Sequence, residues 1–124
     1  MRYLIFLLMV SSGAPSVASA QGLREGDAVL GDAEMRLEVR GSTHTFFDGG
    51  QSFFSVTDSY SYTYPDGAVA YGRYELRTGG IVCTFFTHGF ERCDTYVRNG
   101  GRLVLIDAAG VRFPVRIAER GQAG

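Results

Sequence analysis

The chain has 124 residues, 12 basic and 13 acidic side chains, a formal net charge of −1 and 45% hydrophobic residues. That length is one domain's worth. All basic residues are Arg, none clustered in fives, so nothing draws the protein to a phosphate backbone or an anionic membrane.

The amino terminus has the three parts of a secretory signal peptide: Met1-Arg2, the apolar run Tyr3 to Val10, and a small-residue site ending Val17-Ala18-Ser19-Ala20. The apolar run is far below the roughly 20 residues that a membrane-crossing helix needs. Ser11-Ser12-Gly13-Ala14-Pro15 breaks any helix where that run stops. Cleavage is expected after Ala20, which makes the protein periplasmic or secreted, with no membrane insertion after cleavage. Removing residues 1–20 leaves 104 residues with eleven Arg and thirteen acids, a charge near −2. The expected organisation is a flexible leader over 21–31, one domain over 32–120 and a disordered tail over 121–124.

Residues Asp32 to Gly41 carry two signals. Asp32 as N-cap, acids in the first turn, Arg40 near the end and Gly41 beyond it favour a short helix. The alternation of Met35, Leu37 and Val39 favours a strand. The helix is the preferred reading. From Ser42 onward turn signals recur at Asp48-Gly49-Gly50, Pro65-Asp66-Gly67, Thr78-Gly79-Gly80, Thr87-His88-Gly89, Asn99-Gly100-Gly101 and Asp107 to Gly110, with aromatic and β-branched residues between them. Such spacing predicts an antiparallel meander, with strands near 43–47, 51–56, 59–64, 68–76, 81–86, 90–97, 102–106 and 111–117. In the last, Val111, Phe113, Val115 and Ile117 alternate with polar residues, and Pro114 suggests a sheet edge or an unneeded N–H. With too little helix to cover an apolar face, an all-β sheet must curl into a small barrel or a collapsed sandwich.

Two cysteines in an exported chain are read as a bridge. If Thr87-His88-Gly89 is a three-residue hairpin loop with Gly89 at positive φ, the flanking strands pair symmetrically about His88. Cys83 then opposes Cys93, at a Cβ separation that a disulfide tolerates.

Candidate chemistry is sparse. His88 reads as a polar turn residue and His44 as a strand residue without metal-ligand spacing, so no metal and no cofactor are expected. There is no G-x-S-x-G, and both thiols are read as oxidised, so no catalytic residue is expected. Asp58 and Asp66 fall at turns, Glu91 and Asp94 on opposite faces of one strand, and all four read as solvated surface rather than a carboxylate pair. The glycine pairs lack the pattern of a phosphate loop. The most suggestive feature is tyrosine: Tyr60, Tyr62 and Tyr64 alternate on one strand, with Tyr71 and Tyr74 on the next. They form either a ligand- or partner-facing surface, or an ordinary barrel wall.

The succession Gly41-Ser42-Thr43, Asp66-Gly67, Tyr71-Gly72-Arg73-Tyr74, Cys83, Cys93 and Asp107 to Gly110 resembles short secreted proteins, largely alphaproteobacterial, that form a family of unknown function. Such proteins often carry Trp in the strand before the first Cys; this chain has Tyr74 there and no Trp. The resemblance implies export, a small β-domain and one disulfide, and transfers no catalytic residue. The leading expectation is a non-enzymatic module that binds an unknown protein or small ligand, with no nucleic-acid partner. The alternative is a periplasmic protease inhibitor resembling the small lipocalin-like barrel inhibitors of bacterial metalloproteases, with residues 21–31 as its flexible arm.

Overall fold

The computed structural model describes residues 22–121; residues 1–21, which include the segment expected to be a signal peptide, and residues 122–124, most of the expected tail, lie outside the described residues. The elements in chain order are β1 (Ala28–Val29), α1 (Asp32–Glu38), β2 (Ser42–Phe46), β3 (Gln51–Phe54), β4 (Ser59–Thr63), β5 (Val69–Arg77), β6 (Ile81–Phe86), β7 (Glu91–Asn99), β8 (Arg102–Ile106) and β9 (Arg112–Arg120). From β2 to β9 every strand pairs antiparallel with the next, and β9 pairs back onto β2. The architecture is a closed, eight-stranded, up-and-down barrel. Closure removes the edges that an open meander would leave unpaired.

The preferred helix over 32–40 is present, two residues shorter. Gly31, not Asp32, is its N-cap, and the Glu34 carboxylate accepts from the Gly31 N–H at 3.2 Å. Arg40 lies beyond the helix and pairs with Asp58. The helix crosses one end of the barrel, where Leu30, Met35 and Val39 are buried against the ring cluster of Phe54, Tyr60, Tyr74 and Tyr96. Burying each such aliphatic side chain is worth about 1.5–3 kcal/mol, which is why a seven-residue helix too short to stand alone persists here.

Residues 22–31 are not a loose leader. Asp27 accepts from Arg112 through two bonds of 2.8 and 2.9 Å and from the Asn99 amide at 2.8 Å, and its side chain is 1% exposed. Strand β1 pairs with β7, Ala28 facing Arg98 and Val29 facing Val97. This strap lies against Val97, Val104 and Ile106, which point out of the barrel yet are buried. Composition hid this, because one buried Leu and one buried carboxylate in a polar, glycine-bearing stretch leave no periodic signal.

The hairpin around His88 has the expected register. Phe86 donates its N–H to Phe90, Gly89 has φ +106°, Thr84 faces Arg92, and Cys83 faces Cys93 in a disulfide. Strand β9 departs from its alternation. Thr45 pairs with Ile117 but Phe46 with Val115, so Arg116 is a bulge. Val115 and Phe113 face inward while Ile117 shares the outward face of Thr45, because one extra residue reverses every side chain beyond it. Nor is β9 an edge: it is paired on both sides, and Pro114 falls just past the end of β2, where no partner asks for its N–H.

Candidate functional site

The inward face of an eight-stranded barrel is just wide enough to be filled by side chains or to hold one small ligand. Here the two halves differ. The end under α1 is packed solid; the end formed by the 47–50, 64–68, 87–90 and 107–111 connections opens into a cavity of about 280 Å³. Phe46, Tyr60, Tyr62, Phe86, Leu105 and Phe113 supply the walls, with Tyr64, His88 and Phe90 at the rim. The volume falls just below the range for drug-sized ligand pockets, about 300–1,000 Å³, which points to a small ligand.

Two polar features are set into these walls. Ser52 and Tyr60 share a hydrogen bond of 2.8 Å between their hydroxyls. Deeper in the polar set, Arg92 donates from Nε and Nη2 to the Asp94 carboxylate at 2.8 to 3.2 Å. Asp94 is 5% exposed, whereas the Arg92 side chain retains 38% exposure and faces the cavity. Burial pushes the Asp94 carboxyl above its usual value, against the pull of Arg92, while the hydrogen bonds that Arg92 donates to Asp94 hold its guanidinium up. The burial of Tyr60 raises its phenol in the same way.

The sequence reading of Asp94 as solvated surface is therefore corrected. It had separated Asp94 from Glu91 rightly, since Glu91 is exposed on the other face. What it missed is that Arg92 and Asp94, two apart on a strand, point to the same interior. The polar-apolar alternation of β7 at Arg92, Asp94 and Tyr96 gives no sign of which face is inside. Asp58 and Asp66 are exposed at turns as expected. Asp58 pairs with Arg40 at 2.7 Å, and Asp66 accepts from the Ala68 N–H at 2.9 Å.

The five tyrosines are not one surface. Tyr60 and Tyr62 line the cavity and Tyr64 stands at its rim, edge-on to Tyr62 at 4.8 Å. Tyr74 also faces inward, but lower, buried in the plug. Tyr71, opposite Ser61, lies on the outer wall. There, with Phe53, Arg73 and Phe85, it lines a broad, shallow depression of about 570 Å³, with the Arg73 guanidinium 4.3 Å above the Phe85 ring. Gly72, between Tyr71 and Arg73, is paired on both sides, with Tyr60 of β4 and Phe86 of β6. A Cβ there would lie 2.3 Å from the Phe85 carbonyl, so only glycine admits this close turn of the wall.

Of the histidines, His88 is at the hairpin tip, stacked on Phe86 at 5.5 Å and so part of the rim. His44 is wholly buried between helix and barrel. Its Nε2–H donates to the Glu38 carbonyl at 2.8 Å, which requires that Nδ1 accept from the Tyr96 hydroxyl at 2.6 Å. Burial holds this imidazole below its ordinary value, in the neutral state that the two bonds need. Among the described residues no group of three or more His, Cys, Asp or Glu is arranged to hold a metal ion, and no helix is long and apolar enough to cross a membrane. No family model matches this sequence, and neither a curated protein nor a solved structure is similar to it.

Proposed function

We propose that this chain is a non-enzymatic binding module of an oxidising compartment, periplasmic or extracellular, that carries one small, mainly apolar ligand in the mouth of its barrel. The observation that supports this most is the asymmetry of the interior: one end stoppered by α1, the other left as an aromatic-walled cavity with a buried ion pair. A barrel selected for stability alone would fill that space, because unfilled interior volume costs contacts. The rim is apolar too. Tyr64 and Phe90, from two different connections, line the cavity and remain exposed at its rim, an apolar entrance for an apolar molecule. The disulfide across the β6–β7 hairpin fits an oxidising location.

The test is titration of the purified protein, residues 21–124, with the neutral fluorophore 1-aminoanthracene. One saturable site is expected, with enhanced, blue-shifted emission. Leu105→Trp, which places bulk in the cavity, should weaken that binding at least tenfold while the far-ultraviolet circular dichroism stays that of the native barrel. Equal binding by the native protein and a folded Leu105→Trp variant would put the ligand elsewhere and end this reading.

A further inference from the structure

The polar groups in the cavity wall are unevenly spent. Asp94 is saturated by the Nε and Nη2 edge of Arg92, and Ser52 is satisfied by Tyr60. Nη1 of Arg92, with two N–H donors, bonds to no described residue. Thr84 stands opposite Arg92 on the neighbouring strand and opposite Tyr74 on the other, so it also faces inward; it is buried, and its hydroxyl has no partner among the described residues. Of these, only the Thr84 hydroxyl is sealed from solvent, and it can accept as well as donate; Thr84 is not part of the cavity lining. Arg92 lines the cavity with its side chain 38% exposed, so Nη1 is a charged donor open to whatever enters.

Charge narrows what that can be. Within the cavity Arg92 and Asp94 cancel, and Asp48, at the rim, is exposed to solvent. A ligand carboxylate on the outer edge of Arg92 would be a second anion on a guanidinium already neutralised by Asp94, close to that buried carboxylate, where like charges oppose each other. A cation would meet the guanidinium itself. Resting on the reading above, we propose that the cavity takes an uncharged ligand with a flat apolar body, held among Tyr60, Tyr62 and Phe86, and a carbonyl head that accepts from Nη1 of Arg92.

The test is displacement of bound 1-aminoanthracene by three probes of one shape: naphthalene, 2-acetylnaphthalene and 2-naphthoate. The ketone is expected to bind at least about tenfold more tightly than naphthalene, as a bond to a charged donor warrants, and more tightly than the carboxylate. Single removal of Arg92 would strand Asp94, so the variant is the pair Arg92→Met with Asp94→Leu, an apolar replacement of both partners. Whatever its affinity for the fluorophore, the folded variant should no longer prefer the ketone to naphthalene; a preference kept in full would also overturn the inference. A native protein that ranks naphthoate first has an anion site, and one that ranks ketone and naphthalene equally makes no use of Nη1; either overturns the inference and leaves the cavity reading standing. If the fluorophore itself finds no site, both fall.

Discussion

At the scale of single residues, His44 joins two parts of the molecule that have no covalent reason to stay together. Its ring passes a hydrogen bond from the Tyr96 hydroxyl on β7 to the Glu38 carbonyl at the end of α1, one of the helix-end carbonyls that the helix cannot satisfy itself. Burial depresses its proton affinity in the fold, whereas in the unfolded chain it titrates near 6.5. The unfolded state therefore binds the extra proton first as pH falls. The stability due to neutral His44 is full above about pH 6.5 and is lost progressively below it. His44→Phe leaves two buried polar groups without partners and should cost about 2–4 kcal/mol at pH 7.5 by urea denaturation. The difference from the native protein should narrow between pH 6.5 and 5, by at most about 1.4 kcal/mol per pH unit; a constant difference would mean that His44 is not held neutral. Nothing in the sequence around His44 distinguished it from a strand residue. Its role comes from Tyr96, 52 positions away.

At the scale of elements, glycines mark where strands end, and two adjacent ones behave differently. Gly79 and Gly80 both have positive φ, at +96° and +74°. A Cβ on Gly79 would meet only the tip of Ile81 at 3.7 Å, while one on Gly80 would lie 2.6 Å from Val29 and about 3 Å from the carbonyls of Tyr96 and Leu30. Gly79→Ala thus carries backbone strain alone, about 1–2 kcal/mol. Gly80→Ala carries the same strain and also pushes on β1, and should cost at least 1 kcal/mol more. The second signature is hydrogen exchange: the Leu30 amide, which donates to the Tyr96 carbonyl at 3.2 Å, should lose protection in Gly80→Ala and keep it in Gly79→Ala. Equal exchange in the two variants would show that the strap does not depend on that close approach. Turn chemistry made these glycines readable as turns, and made the register across Cys83 and Cys93 readable too, because hairpin loops are local. The bulge at Arg116 was not readable, since it depends on how β9 must bend to meet β2.

At the scale of the whole molecule, the two ends of the barrel have separate tasks. Met35 is at the centre of the plug and makes no part of the cavity wall. Met35→Ala should therefore lower stability by about 2–5 kcal/mol, as truncation of a buried side chain does, and leave the affinity for 1-aminoanthracene within twofold of native under conditions where the variant stays folded. A matching loss of binding would show that plug and mouth are coupled. That division rests on closure. In an open sheet the aromatic face holding Tyr60, Tyr62 and Phe86 would lie against another layer; in a barrel it encloses a volume, and what fills or does not fill it becomes a functional choice.

What the sequence determined by itself was what local physics controls: an all-β meander, a short helix before it, the position of its turns, and a cross-strand disulfide. Alternation, glycine at positive φ and hairpin register act over a few residues, so they can be read from a few residues. The tertiary structure alone decided that the sheet closes, that residues 22–31 strap its outer wall, and which face of β7 is inside. Each of these is a contact between segments far apart in the chain. Arg92 and Asp94 show the reason most directly: as a pair of charges on a strand they read as surface, and only the curvature of seven other strands turns them into part of a cavity wall.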